Sequence, residues 1–248
     1  MQQAYPEDFP IYATVGDGTG RIWQIDRDGT KTEFATGLND PQGLATDGKG
    51  NLYVVEQGAS RLLRFDIASK AQTVVATGLS VPTTVAIDSK GEIYVNEEGA
   101  QRIHKVSDSS IFASFSSAPS AFTFGLGDQP VVGFFNLNST QWGLSGETQF
   151  TIQKPIAMAK DILGRVYVSE GTDSGSRVIR IGPTPNDSTE VVVNGLNGAF
   201  GVIIDRSGNL FVAETAESRI VFVTQNNQLY KFVDLTAPLY MTMTRVLE

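Results

Sequence analysis

Acidic and basic residues recur together at four places along the chain. The pairs, with spacings of five, five, seven and five residues, are Glu56 with Arg61, Glu97 with Arg102, Glu170 with Arg177, and Glu214 with Arg219. Each pair flanks a short loop between two apolar segments, so its members are expected to meet across a hairpin and contribute roughly 0.2 to 1 kcal/mol. A pair repeated four times predicts a structural clamp that fixes register. The alternative is a ring of glutamates on one face that attracts cations.

Other side chains that carry catalytic chemistry are scarce. His104 is the only histidine, there is no cysteine, and no G-x-S-x-G segment is present. His104 lies inside a predicted third strand, where a structural role is expected. Mechanisms that use a histidine dyad, a three-histidine zinc site, a thiol or a hydrolytic triad therefore have no support in the sequence.

The Glu–Arg pairs belong to a longer repeat. Its copies read "LYVVEQGASRLLRFD" from Leu52, "IYVNEEGAQRIHKVS" from Ile93, "VYVSEGTDSGSRVIRIG" from Val166 and "LFVAETAESRIVFVT" from Leu210. Each copy is preceded by an apolar segment and a turn that begins with Asp and ends with Gly, and it is followed by one more apolar segment. Four antiparallel strands per repeat are predicted.

The spacing of the repeats predicts the fold. The turn glycines are 41, 36, 37 and 44 residues apart, at Gly50, Gly91, Gly127, Gly164 and Gly208. Four-stranded units that recur at about 40 residues are typical of a β-propeller. "IYATV" from Ile11 lacks a first strand, which "LYMTMTRV" from Leu239 supplies. We therefore predict an all-β, six-bladed β-propeller with four-stranded antiparallel blades and N- and C-terminal strands that share one blade.

The chain is predicted to be one domain over residues 1–248, with an irregular blade at about 107–154. Small and large residues alternate along the predicted inner strands, as in Gly43 and Leu44 or Gly201 and Val202. Radial sheets approach most closely at the axis, so a small face is expected to meet a large one there.

The pattern "P-x-G-L-A-x-D-x-x-G-N-L-Y-V-x-E" from Pro41 resembles the NHL repeat and the blades of the SMP-30/gluconolactonase group. Both are six-bladed propellers, and the resemblance covers nearly the whole chain, weakly between Ser107 and Lys154. It implies the fold, because these groups include lactonases, lyases, synthases and binding scaffolds.

The resemblance also implies where a metal would lie. SMP-30-like enzymes hold a divalent cation near the axis with Glu, Asn and Asp side chains at the entrances to the inner strands. The corresponding positions are Gln42, Thr83, Ser120, Ile156, Phe200 and Leu239. None is a carboxylate, whereas calcium prefers six to eight oxygens with charge among them. No cofactor is therefore predicted; if calcium or zinc binds, Asp40 and Asn39 are the candidate ligands.

One segment departs from the repeat. Between Ser109 and Gly146 the only charged residue is Asp128, and seven of the 14 phenylalanines lie between Phe112 and Phe150, with Trp142 among them. One interpretation is a degenerate blade that packs its aromatic side chains inward. The other is an uncharged aromatic surface that binds an apolar ligand or a partner.

Composition limits the partners. A net charge of -8 provides no basic surface for nucleic acid, and no apolar run is long enough to span a membrane. A monomer is expected. "MQQAYPEDFP" lacks the features of an export signal, but an initial Met and a final Leu247-Glu248 are typical of cloning residues. A periplasmic or secreted location is expected if a signal peptide was removed.

The face formed by the inner-strand entrances and the hairpin loops is predicted to bind a small ligand or a protein. The expected contacts are Gln42, Thr83, Asn96, Ser120, Trp142, Asn197 and Phe200. One alternative is a hydrolase of lactones or esters that uses a metal or a single loop carboxylate. A second is a metal-free cyclase or synthase that uses the central channel; no catalytic residue is assigned.

Overall fold

The computed structural model describes residues 8–144, 148–172, 175–184 and 186–244. These residues form six antiparallel sheets of four strands each, arranged as the blades of a propeller. The predicted fold class is confirmed. Helical structure in the described residues is limited to short 3-10 turns, and none of it is long and apolar enough to cross a membrane.

The blades are numbered from the N-terminus, and the strands of each run outward from the axis. Blade 1 contains β24 (Pro238–Met243), β1 (Ile11–Val15), β2 (Ile22–Ile25) and β3 (Lys31–Ala35). Blade 2 contains β4 (Pro41–Thr46), β5 (Asn51–Glu56), β6 (Arg61–Asp66) and β7 (Gln72–Thr77). Blade 3 contains β8 (Pro82–Ile87), β9 (Ile93–Glu97), β10 (Arg102–Lys105) and β11 (Ser110–Ser114).

The other three blades follow the same order. Blade 4 contains β12 (Ala121–Phe124), β13 (Pro130–Phe134), β14 (Ser139–Trp142) and β15 (Thr148–Thr151). Blade 5 contains β16 (Pro155–Lys160), β17 (Val166–Thr172), β18 (Gly175–Ile181) and β19 (Thr189–Leu196). Blade 6 contains β20 (Ala199–Ile204), β21 (Leu210–Glu214), β22 (Arg219–Val223) and β23 (Leu229–Asp234).

The ring is closed by strands from both ends of the chain. β24 pairs antiparallel with β1, so that Ile11 lies opposite Met243 and Ala13 lies opposite Met241. β24 also contacts β4 and β20, the inner strands of the two neighbouring blades. The prediction that N- and C-terminal strands share one blade is confirmed.

Small residues let the inner strands approach each other at the axis. A Cβ atom on Gly43 would lie 2.7 Å from the carbonyl oxygen of Thr83 in blade 3, and one on Gly201 would lie 2.3 Å from that of Leu239 in blade 1. Real Cβ atoms do not approach backbone so closely. Glycine is therefore required where these strands pack, which accounts for the predicted small face.

The turn between the first and second strands is stabilised by its first residue. In blade 2, Asp47 Oδ1 accepts hydrogen bonds from the backbone N–H groups of Lys49 and Asn51, at 2.8 and 3.1 Å. Gly50 then adopts φ +90°, a conformation that favours glycine. Asp88, Asp161 and Asp205 accept equivalent backbone bonds in blades 3, 5 and 6.

Apolar side chains fill the space between blades. One cluster joins Tyr12 and Phe34 of blade 1 to Leu52 and Leu63 of blade 2. Each fully buried side chain of this size contributes about 1.5 to 3 kcal/mol relative to an exposed one. The core therefore consists of apolar layers between neighbouring sheets. These layers fix the blades relative to one another, and with them the loops at both ends of the propeller.

Candidate functional site

The entrance face is the end of the propeller where the inner strands begin. It comprises the first residues of those strands, the connectors that lead into them, and the hairpins between second and third strands. The residue before each inner-strand proline has a positive φ, with 52°, 47°, 44° and 43° at Asp40, Val81, Lys154 and Ala237. This conformation is uncommon for residues other than glycine, so the repeated geometry shows that the surrounding contacts impose it.

The four repeated glutamates lie beneath this face and are buried, with 0 or 1% exposure at Glu56, Glu97, Glu170 and Glu214. Each pairs with the arginine that follows its hairpin. Each also accepts a hydrogen bond from the backbone N–H of the residue 17 positions earlier, namely Asn39, Ser80, Gln153 and Asn197. The clamp thus joins a hairpin to the connector that enters its own blade.

The predicted strength of the clamp is too small. That value applies to exposed cross-strand pairs, whereas Glu97 is fully buried and Arg102 donates to both of its carboxylate oxygens, at 3.0 and 3.1 Å. The Arg102 side chain is 29% exposed, so the pair is only partly buried, and loss of its charge-assisted hydrogen bonds is expected to cost about 2 to 3 kcal/mol. Because these carboxylates are enclosed, they do not form an acidic ring on the surface.

A second set of polar side chains joins neighbouring blades at the entrance. At each of the six junctions, a side chain of one blade donates a hydrogen bond to a backbone carbonyl at the start of the next. The bonds run from Thr14 to Gln42, Gln57 to Pro82, Asn96 to Pro119, Ser120 to Pro155, Ser169 to Phe200, and Thr215 to Pro238. We call this set the junction ring. It satisfies carbonyls that face the axis and lack a strand partner on that side.

Three of the predicted ligand contacts are members or neighbours of the junction ring. Asn96 Nδ2 donates to Pro119 O and to Thr83 Oγ1, both at 2.7 Å. Ser120 Oγ lies 2.8 Å from Pro155 O. Asn96 is fully buried and Thr83 is 6% exposed. The structure therefore gives Thr83, Asn96 and Ser120 a role in holding blades together.

Three other predicted contacts lie at the surface of the entrance face. Gln42 is half-buried and its Nε2 donates to Asp40 Oδ1 at 2.7 Å. Asn197 is exposed and its Nδ2 donates to Glu217 Oε1 at 2.7 Å. Phe200 is half-buried, with its ring edge-on to Tyr240 at 5.0 Å. These side chains lie in the connectors or at the starts of the inner strands, in blades 2 and 6.

Trp142 is placed elsewhere. It ends β14, the third strand of blade 4, and is only 4% exposed within a cluster that includes Val131, Ile152 and Val168. Its ring also packs against Gly125, where an added Cβ would lie 2.7 Å from it. Trp142 is thus a core residue between blades 4 and 5, and offers no exposed surface to a ligand.

The irregular blade packs most of its aromatic side chains inward, as the first interpretation expected. Phe122, Phe124 and Phe134 are 3 to 4% exposed. Phe134 stands where four other blades carry the clamp glutamate, and its ring lies edge-on to Phe115 at 5.3 Å. Blade 4 therefore replaces a buried ion pair with aromatic packing.

The hairpin of blade 4 is different, because it displays apolar side chains at the entrance face. Phe135 is 43% exposed and Leu137 is 57% exposed. Neither was among the predicted site residues. The sequence feature that could have identified them is the uncharged run "FFNLN". Its first Phe occupies the position of the clamp glutamate at the end of the strand, so its second Phe lies in the hairpin.

The residues near the axis do not fit a metal. Among the described residues there is no group of three or more His, Asp or Glu side chains that would hold an ion. The backbone N–H of Asn39 donates a hydrogen bond to Glu56 Oε1 at 2.6 Å, and Asp40 Oδ1 accepts one from Gln42 Nε2. A hard cation needs several converging oxygens with negative charge, which these two exposed loop residues do not supply.

The axial channel is narrow and apolar. Its middle is a cavity of about 40 Å³ whose lining includes Val85, Phe122, Met158 and Tyr240. It widens to about 200 Å³ at the opposite end of the ring. Burial, followed by the nearby charge of Glu98, raises the pKa of Tyr240. Glu98 itself lies in the blade 3 hairpin, where its backbone N–H donates to Val81 O at 3.1 Å.

His104 has no part in this face. It lies on β10 with 13% of its side chain exposed, and its Nδ1 is 3.2 Å from Glu97 Oε1 without hydrogen-bond alignment. This places the single imidazole beside a clamp glutamate, at the third strand of blade 3 and away from the axis.

No protein-family model matches the chain, and no curated protein matches its sequence. Solved structures do share its architecture. A chain of the nidogen/laminin complex has a TM-score of 0.80 at 13% identity, over 95% of this chain and 99% of that chain. A streptogramin B lyase has a TM-score of 0.69 at 16% identity, over 96% and 88%.

Two further structures are similar. A gluconolactonase from Xanthomonas campestris has a TM-score of 0.69 at 12% identity, over 96% of this chain and 90% of that chain. The calcium-binding protein regucalcin from Agrobacterium tumefaciens has a TM-score of 0.61 at 13% identity, over 82% and 77%. Identities this low show a shared propeller fold, while the proteins named differ in what they do.

Proposed function

We propose that the chain is a binding module, built of NHL- and SMP-30-like blades, whose entrance face recognises a protein partner. One observation carries the proposal. On that face the polar side chains near the axis are engaged in the junction ring and the clamps, whereas Phe135 and Leu137 are left 43% and 57% exposed. Two large apolar side chains exposed within three residues of one loop favour a contact surface.

The blade 4 hairpin is held in one conformation. Its Phe135 N–H donates to Ser120 Oγ at 3.1 Å, and Asn138 Oδ1 accepts from the Lys154 N–H at 3.0 Å. Asn138 itself has φ 49°, which the loop must maintain. Phe135 and Leu137 are therefore presented by an ordered loop, which lowers the entropy cost of binding. Gln42, Asn197 and Phe200 supply a more polar rim on the same face.

The test compares capture of a partner by matched variants. Wild-type protein immobilised through its C-terminus is incubated with an extract of the producing cells and their medium, and bound proteins are identified by mass spectrometry. Phe135→Ser/Leu137→Ser is expected to lose a partner that the wild type retains. Ile111→Ser is the control, since Ile111 is 55% exposed but lies on an outer strand of blade 3. Equal loss in both variants, or in neither, would refute the proposal.

A second candidate is a hydrolase of lactones or esters that uses one loop carboxylate. It is favoured by Glu98, a half-buried carboxylate in the blade 3 hairpin, which belongs to the entrance face. If this candidate holds, the wild type hydrolyses simple sugar lactones and Glu98→Gln abolishes turnover while the fold is kept. Lactone hydrolysis that survives Glu98→Gln would exclude this carboxylate.

A further inference from the structure

A cleft lies on the exit face, the end of the propeller opposite the entrance. It is about 460 Å³ in volume and lies between blades 5 and 6. Small-molecule sites commonly have volumes of about 300 to 1,000 Å³. The cleft is separate from the axial channel and shares no residue with the channel mouth.

Exit-face turns are joined to their neighbours at the junctions on either side of blade 4. Asp128 of blade 4 accepts two hydrogen bonds from Ser89 of blade 3, from its backbone N–H and its hydroxyl. Leu126 packs on Gly164 of blade 5, where an added Cβ would lie 2.7 Å away. Between blades 5 and 6 the corresponding turns instead flank the cleft.

The blade 5 wall carries a cross-strand row of three polar side chains. Tyr167 on β17 lies opposite Arg180 on β18, which lies opposite Glu190 on β19. Arg180 is bonded to Glu190, and their side chains remain 31% and 57% exposed. Burial raises the pKa of Tyr167, so its hydroxyl stays neutral beside the guanidinium. Positive and negative groups thus reach solvent side by side.

The blade 6 wall repeats both signs of charge. Asp205 is 2% exposed and begins the first turn, where Asn209 donates to it through its backbone and its side chain. Arg206 follows it; its side chain is 19% exposed and its Nε lies 3.8 Å from Asp8 Oδ1, so this guanidinium already has an acidic partner. Gln225 and Asn227, from the turn between the third and fourth strands, add amide groups to this wall.

Apolar groups complete the cleft. Leu210 and Val223, which are 2% and 1% exposed, form part of its floor with Val192. Ile162 and Leu163 of the blade 5 turn line it with 67% and 57% exposure. An apolar portion of a ligand would therefore pack between a buried floor and an exposed rim.

We propose that this cleft binds a zwitterionic small molecule with an apolar side chain, that is, an amino acid or the end of a short peptide. Guanidinium groups recognise carboxylates through paired hydrogen bonds, and carboxylates recognise ammonium groups. Arg180 and Glu190, which remain 31% and 57% exposed on the blade 5 wall, provide both.

The mixed charge of the cleft selects against ligands of one sign. An anion that approaches Arg180 meets Glu190, and a cation that approaches Glu190 meets Arg180, because the two side chains are paired. Repulsion between like charges lowers the affinity for the wrong ligand and so increases specificity. A zwitterion places an opposite charge against each group.

The experiment uses three probes with the same apolar part: L-phenylalanine, phenylacetate and phenethylamine. Binding to the full chain is measured by isothermal titration calorimetry and by chemical shifts in the protein. L-phenylalanine is expected to bind saturably at concentrations up to about 10 mM, with each single-charge analogue at least about tenfold weaker. No saturable binding of L-phenylalanine, or equal binding of an analogue, would overturn the proposal.

Variants locate the binding. Arg180→Gln is expected to weaken L-phenylalanine binding about tenfold or more. Arg64→Gln is the matched control, because Arg64 lies opposite Tyr53 in blade 2 as Arg180 lies opposite Tyr167 in blade 5. Val192→Phe fills the cleft without altering charge and is expected to abolish binding. Unchanged binding in folded Arg180→Gln and Val192→Phe proteins would place the ligand elsewhere and refute the inference.

Discussion

Asn96 of blade 3 donates a hydrogen bond of 2.7 Å to the carbonyl oxygen of Pro119, in the connector to blade 4. The same bond type recurs at every blade junction, although the donor is Thr, Gln, Asn or Ser according to the blade. Neighbouring blades are thus joined near the axis by polar contacts and farther out by apolar layers. The polar contacts and the apolar layers together stabilise the arrangement of the entrance face.

Asn96→Ala tests the junction ring. The change removes two buried hydrogen bonds, to Pro119 and to Thr83, and is expected to lower the free energy of unfolding by about 2 kcal/mol. Urea unfolding followed by tryptophan fluorescence measures it. Asn194→Ala is the control, because Asn194 is exposed on the outer strand of blade 5. A loss no larger than in the control would show that the ring contributes no stability.

Glu97→Gln tests the buried clamp. We expect a loss of about 2 to 3 kcal/mol, because the fully buried carboxylate accepts two charge-assisted hydrogen bonds from Arg102 that a neutral amide replaces only in part. The comparison is Glu92→Gln, whose side chain pairs with Lys105 at the surface and whose substitution should leave the unfolding midpoint unchanged. Equal midpoints for the two variants would contradict the assignment of the clamp as buried and structural.

Deletion of residues 239–248 tests closure of the ring. Without β24, the edge of β1 and the apolar layers on both sides of blade 1 are exposed, so aggregation or a marked fall in melting temperature is expected. Addition of a synthetic peptide of residues 238–248 should restore part of the lost stability. A truncated chain that melts as the full chain does would refute closure by both termini.

Asp205 predicts a pH dependence of stability. Its pKa is raised, mainly by burial, so the folded state binds its proton more tightly than the unfolded state does. Stability from this group is therefore present below the usual Asp pKa of about 3.9 and is lost as pH rises through the higher folded-state pKa. Asp205→Asn removes that loss. Its melting temperature relative to the wild type should rise between about pH 4 and pH 7; a constant difference would contradict this origin.

The repeat made the fold predictable from the sequence. Asp47 and Gly50 recur at equivalent positions in blades 2, 3, 5 and 6 because those blades use the same turn, and Pro238 repeats the position of Pro41 because the last strand begins a blade. Residues that meet such local requirements therefore recur in the repeats and can be recognised in the sequence. Strand order and closure follow from counting the copies.

The site was less predictable, because its residues depend on contacts between copies. The junction donors are Thr14 within β1 but Gln57 just after β5, so no single repeat position marks them. Burial of Glu97 and of Trp142 depends on which neighbour covers them, and spacing along one strand does not show that. The cleft between blades 5 and 6 likewise arises from two turns that are distant in sequence.

The central claim is that the entrance face does not hold a catalytic cation, as the proposed binding module requires. Thermal unfolding with calcium or zinc, followed by EDTA, tests it most directly, with sugar-lactone hydrolysis measured on the same samples. A site of micromolar affinity would add about 4 kcal/mol of stability at millimolar metal. We predict no saturable shift and no turnover. A saturable shift that EDTA reverses, together with metal-dependent lactone hydrolysis, would contradict the account and identify a hydrolase.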